Sequence, residues 1–202
     1  MPQISLMSEH AHAVVLAIDP GATSGWSIHM PWDYGHEIGF KSIALTRLPS
    51  ISKGLALYGQ TKSTRQIQEA VAEAQEWSIY TGLCLIVVAE SWKGGGGPHG
   101  NSQQVNTGLG AAWGKWQAVL DLRGQPARRV IRIDTGSWRR AIFGRTRMRS
   151  AEWKAAAQLW AQAAYGLTKL RSDEAEAICI GSIAQRWSKV HALALKPKAR
   201  KR

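Results

Sequence analysis

The run AVVLAIDPGATSGW, residues 13–26, sets the architecture of this 202-residue chain. Residues 13–19 are a continuous series of β-branched and aliphatic side chains, which predicts a central strand buried on both faces. Residues 20–25, PGATSG, carry the turn formers, and a second strand is expected over residues 26–30. The buried strand ends on an acid, Asp19. A carboxylate at the end of an apolar strand is out of keeping with its surroundings, and it directs attention to the other acids.

Outward from this run, residues 37–45 predict a third strand that completes an antiparallel meander, and residues 49–61 a loop. Over residues 63–80, Ile67, Val71, Ala74 and Trp77 fall at helical spacing, with Glu69, Glu73 and Glu76 off that stripe and Gly82 as the stop. Residues 83–89 form another fully apolar run. An intervening helix predicts that this strand lies parallel to the first, and it too ends on an acid, Glu90. KGGGGPHG, residues 93–100, reads as a loop. Val105, Leu109, Ala112, Trp113, Trp116 and Leu120 mark a second helix, in which Gly108, Gly110 and Gly114 predict close packing against another helix. A short strand over residues 130–133 follows. Then come a short helix opened by Ser137 and capped by Gly144, a helix bearing Trp153, Ala157 and Trp160, and a last helix from the N-cap Ser172 to about Ala192. The expected class is α/β, a mixed five-stranded sheet flanked by helices. Residues 13–192 make one domain, between a disordered leader (1–12) and a basic tail (193–202).

Charge narrows the partner. The chain has 26 Lys and Arg against 14 Asp and Glu, a net charge of +12, which favours a polyanion such as nucleic acid. Ten of the cations crowd residues 123–154, and the terminal KPKARKR adds a second block whose attraction to phosphate is salt-sensitive and blind to sequence. No apolar run is long enough to span a membrane, and the first residues lack a signal-peptide layout, so a cytoplasmic protein of a bacterial or phage-infected cell is expected. Cys84 and Cys179 lie in apolar runs and read as buried thiols rather than a disulfide. His10 and His12 belong to the leader, and His99 to the glycine loop.

In such a chain the scarce acids carry the chemistry. Asp19 and Glu90 end strands that become neighbours if the sheet is parallel there, and sites in α/β sheets gather at those ends. Asp173 and Glu176, three residues apart at the start of the last helix, share a face; Glu174 points about 100° away and is held in reserve. Asp19, Glu90, Asp173 and Glu176 are therefore expected to ligate Mg²⁺, a hard cation that takes oxygen donors. Two such ions, with Mn²⁺ as a substitute, would serve phosphodiester hydrolysis. No small-molecule cofactor is expected.

These residues resemble the motifs of RuvC-type Holliday junction resolvases. AIDPGATSGWS is similar to the first motif, VVAES to the second and DEAEAICIG to the third, over residues 13–184. WRRAIFG followed by AEWKAAAQ resembles the basic segment before the last helix. The resemblance implies an RNase H-like fold and a Mg²⁺-dependent endonuclease that nicks branched DNA. The resemblance further implies a homodimer that would cut four-way junctions symmetrically and leave a 5′ phosphate, with Arg139 and Lys154 on the substrate phosphate. The helix near residues 101–122 is the expected dimer contact. Trp92 and Lys93 would meet DNA just past Glu90, with Trp92 stacking on a base. Arg140, Arg145, Arg147 and Arg149 would track phosphates without reading sequence. Three features depart from the family: Glu176 where an Asp is usual, the GGGGPHG loop, and the arginine-rich RTRMR. Remaining alternatives are an RNase H-fold nuclease for flaps or RNA–DNA hybrids, a DNA-binding module without catalysis, and a sugar-kinase-like ATPase, for which the chain is short and lacks a second phosphate motif.

Overall fold

The computed structural model describes residues 13–30, 55–91, 103–125, 129–144 and 148–186. Its ten elements are β1 (Ala13–Asp19), β2 (Ser24–His29), β3 (Leu55–Thr61), α1 (Thr64–Thr81), β4 (Cys84–Ser91), α2 (Gln103–Leu122), β5 (Ile131–Asp134), α3 (Thr135–Phe143), α4 (Ser150–Tyr165) and α5 (Ser172–Arg186). The five strands form one mixed sheet in the order β3-β2-β1-β4-β5. β1 pairs antiparallel with β2 and parallel with β4, and β4 runs parallel to β5. The expected α/β class, with its mixed five-stranded sheet and helices on both faces, is what the chain forms.

The uniform apolarity of β1 follows from its place at the middle of this sheet. Val14, Leu16 and Ile18 pack with α1 and α2, whereas Ala13, Val15 and Ala17 face α3, α4 and α5. Full burial of aliphatic side chains contributes about 1.5–3 kcal/mol each. That anchorage lets the strand carry a carboxylate, Asp19, into a buried position at its end. Side chains alternate along a strand, so Asp19 continues the series of 13, 15 and 17, and Glu90 that of 86 and 88. Both acids therefore project on the α5 face.

α5 is buried from Ala175 to Ala184, sandwiched between the sheet and α4. Burial on every side explains why its sequence shows no polar stripe. A buried polar tether holds it to β2. Ser27 Oγ donates to the Ala177 carbonyl (2.9 Å) and lies 2.9 Å from His29 Nε2. The hydroxyl has one proton, so His29 must donate through Nε2 and is the neutral Nε2–H tautomer. Burial holds the His29 pKa down at about 3. Gly181 makes room for this ring, since a β-carbon there would overlap the imidazole.

The third strand differs from expectation. β3 occupies residues 55–61, in the stretch read as a loop; the expected strand at 37–45 lies outside the described residues. LALYGQT has no aliphatic run, and its strand character comes from antiparallel pairing with β2, where Gly59 lies under the Trp26 ring. α3 starts at Thr135 with Asp134 as its cap, whose side chain accepts from the Gly136 N–H, and not at Ser137. Helix α1, capped by Ser63 and stopped by Gly82, buries Ile67, Val71, Ala74 and Trp77 as its spacing requires. Close packing expected at Gly108, Gly110 and Gly114 is not met within the described residues: a β-carbon at any of them would meet nothing within 4 Å. Cys179 is buried, Cys84 is only partly so, and the two form no disulfide. No helix among the described residues is long and apolar enough to cross a membrane.

Candidate metal centre and its basic rim

Sheet register brings the two strand-end acids together. Ile18 pairs with Ala89 across β1 and β4, so Asp19 and Glu90 are the next residues in neighbouring parallel strands. On the other side, Asp19 pairs with Gly25 of β2. Gly25 has a steric role. A β-carbon there would overlap the backbone carbonyl of Asp173 and stand 2.9 Å from the Glu174 nitrogen. The first turn of α5 thus rests directly on the β2 main chain, which delivers Asp173 and Glu176 to Asp19.

Carboxylate oxygens of Asp19, Asp173 and Glu176 converge within 4.8 Å of one another. Glu90 stands beside this trio rather than within it. Its Oε1 accepts from the indole Nε1–H of the fully buried Trp138 (3.2 Å). Arg132 steadies the same residue from the other face of the sheet, donating through Nη1 to the Glu90 carbonyl (3.1 Å) with its guanidinium 3.5 Å over the Trp113 ring. Glu174 turns back to accept from the Arg171 N–H (2.8 Å), which closes the start of α5 and keeps it out of the trio. Ser172, expected as the N-cap, sits in the first turn, and its hydroxyl donates to Asp173 Oδ1 (3.3 Å).

The electrostatics of the trio are unfavourable without a cation. Burial, reinforced by Glu90, Glu176 and Asp173, pushes the Asp19 carboxyl well above the usual carboxylate range; Lys154 opposes this. Glu176 is raised by its burial and by Glu90, against Arg139 and Lys154. Crowded, partly dehydrated carboxylates are a hard-oxygen donor set, and a bound divalent cation offsets their repulsion. The residues present fit such an ion.

Two cations border the acids. Arg139 Nη2 lies 3.3 Å from Glu176 Oε1, and its guanidinium sits between the rings of Trp138 and Trp153, 5.2 and 5.0 Å from their centroids. Its Nε–H is buried with no hydrogen-bond partner among the described residues. Lys154 Nζ lies 3.8 Å from Asp173 Oδ1. Arg140 and Arg149 are exposed, on α3 and just before α4. Trp92, Lys93, Arg145 and Arg147 lie outside the described residues. Sequence reasoning missed Trp138, Arg132 and Gln60, whose Nε2 donates to Asp173 Oδ2 (3.2 Å). Trp138 was one tryptophan among ten, Arg132 one arginine of a basic stretch, and Gln60 lay in a presumed loop.

Comparison with known proteins bears on the scaffold. No family profile matches the sequence, and no curated protein matches it. Among solved structures, Thermus thermophilus RuvC in complex with a Holliday junction substrate superposes with a TM-score of 0.54 at 16% identity, covering 91% of this chain and 98% of that one. A second T. thermophilus RuvC structure gives 0.49 at 18% identity, over 88% and 96%. The chain therefore has the RuvC-type, RNase H-like fold, with its acids gathered at the carboxyl ends of β1 and β4 and on the first turn of α5.

Proposed function

We propose that the protein is a divalent-metal-dependent endonuclease that nicks branched DNA, four-way junctions above all. The observation that carries this reading is the convergence of Asp19, Asp173 and Glu176 within 4.8 Å, beside Arg139 and Lys154. Acids to hold metal and cations to hold phosphate are the two halves of such a site. A net charge of +12 suits a polyanionic substrate, and the RuvC that shares this fold was solved with a Holliday junction.

Asp19, Asp173 and Glu176 would hold Mg²⁺, with Glu90 completing the donor set and Mn²⁺ substituting. The metal, when bound, supplies an acidified water and charge neutralisation at a phosphodiester. The chain's own residues do the rest. Arg139, held beside two indole rings and partly exposed, offers its guanidinium to a phosphate oxygen. Lys154, half-exposed, reaches the same phosphate and stabilises charge that develops on it. Arg140 and Arg149, together with Trp92, Lys93, Arg145 and Arg147, extend the contact along the DNA. The tail after residue 192 adds affinity that falls with salt. Residues 13–192 act as one nuclease domain, and two copies cut opposite strands, joined through α2.

The test is a cleavage assay with purified protein on a four-way junction, a linear duplex, a flap and an RNA–DNA hybrid, with and without Mg²⁺. Metal-dependent paired nicks in the junction, with 5′-phosphate ends, are expected. Cleavage of the hybrid with the junction left intact assigns a different substrate, and metal-independent cleavage removes the acids from the chemistry.

A further inference from the structure

The edge strand β3 contributes a side chain to the acidic site. Asp19, Gly25 and Gln60 lie in one row across β1, β2 and β3. Gly25, the middle member, has no side chain, and the first turn of α5 fills the space above it. Asp173 is thus flanked by Asp19 on one side and by Gln60 on the other. Gln60 Nε2 donates to Asp173 Oδ2 (3.2 Å), while Gln60 Oε1 accepts from Arg171 Nη1 (2.7 Å). The amide has only one possible orientation. A guanidinium can only donate and an ionised carboxylate only accept, so the oxygen must face Arg171 and the nitrogen Asp173. The other oxygen of Asp173 is held by Ser172 and Lys154.

We propose that Gln60 is a positioning residue for Asp173: its amide, anchored on Arg171, aims the carboxylate at Asp19 and Glu176 and so sets the affinity of the site for a divalent cation. The proposal rests on the metal-nuclease reading and adds to it a residue of β3 that touches neither metal nor DNA. Partners that orient a metal ligand act chiefly on metal affinity, because an ion held by a carboxylate free to rotate must also bear the entropy of fixing it.

The experiment titrates the full chain with Mn²⁺ alone, followed by the loss of the free-ion paramagnetic signal, for wild type, Gln60→Met, Arg171→Ala and Asp19→Asn. Gln60→Met should weaken Mn²⁺ binding about 10-fold, the low end of what loss of an orienting partner costs. Its melting temperature in chelator should match wild type, because Gln60 lies at the sheet edge and is only partly buried. Cleavage should recover as Mg²⁺ is raised to saturation, which a distorted fold would not allow. Arg171→Ala, which leaves the bond to Asp173 intact, should weaken binding by a smaller factor than Gln60→Met. Unchanged Mn²⁺ affinity in Gln60→Met, or a rate loss in that variant that saturating Mg²⁺ does not recover, overturns the proposal. The wild-type and Asp19→Asn arms separate the two failures: equal Mn²⁺ binding by these proteins overturns the metal reading itself, and Gln60 with it.

Discussion

Replacing Gly25 by alanine adds one methyl group where helix α5 crosses strand β2. Two effects compete. Alanine restricts the unfolded chain more than glycine and on that account stabilises by about 0.5–1 kcal/mol. Against it, the new β-carbon overlaps the Asp173 carbonyl and lies 2.9 Å from the Glu174 nitrogen. Both neighbours are main chain, so no side-chain rotation relieves the contact, and the overpacking cost falls at the upper end of its usual range, about 3 kcal/mol. The clash wins, leaving a net loss of about 2 kcal/mol, which for a chain of this size lowers the melting temperature by roughly 4–8 °C. Function should suffer more than stability. The first turn of α5 must lift to relieve the overlap, and it carries Asp173 and Glu176 away from Asp19. A displacement of about 1 Å at a reacting centre costs on the order of 100-fold in rate. The assay pairs thermal melting with single-turnover cleavage of a four-way junction at saturating Mg²⁺. A Gly25→Ala protein as stable as wild type and equally active would show that α5 does not depend on this contact for its position.

Asp19→Asn should abolish cleavage yet stabilise the metal-free protein at neutral pH. The folded carboxyl titrates well above its unfolded value near 3.8, so the folded state binds more protons between the two, and stability falls as pH rises through that window. The advantage of Asp19→Asn therefore grows with pH, vanishes below about 3.8, and is offset by saturating Mn²⁺, which stabilises only wild type. Denaturant midpoints in chelator and in Mn²⁺ at several pH values measure this, and a variant less stable than wild type at pH 8 in chelator would contradict it. Arg139→Lys keeps the charge but loses the guanidinium's cation–π contacts with Trp138 and Trp153 and its fixed donor to Glu176. Cleavage should fall about 10-fold, as expected for loss of roughly 1.4 kcal/mol of transition-state stabilisation. Wild-type single-turnover kinetics in this variant would show that charge alone suffices.

Much of the scaffold was legible along the chain. β1 and β4 announced themselves as apolar runs, because a strand covered on both faces leaves no polar positions. The parallel pairing of those strands followed from the helix between them. Glu174 could be set aside from Asp173 and Glu176 by helical angle, and in the structure it caps α5 instead. β3 escaped notice because an edge strand draws its order from a partner distant in sequence, and LALYGQT has no pattern of its own. With β3 went Gln60. Trp138 and Arg132, which hold Glu90 from two sides, were indistinguishable from other tryptophans and arginines, since a residue type reports what it can bond and not what lies across from it.

The acids that count are thus written in local sequence, at the ends of apolar runs and on one helix face, because strand period and helical turn act within a few residues. Their convergence belongs to tertiary structure. It requires β1 and β4 in register, α5 seated on a glycine of β2 far away in the chain, and indole, guanidinium and amide partners from β3, β5 and α3. Like charges repel, and only packing from all of these elements at once holds three carboxylates within one ion's reach.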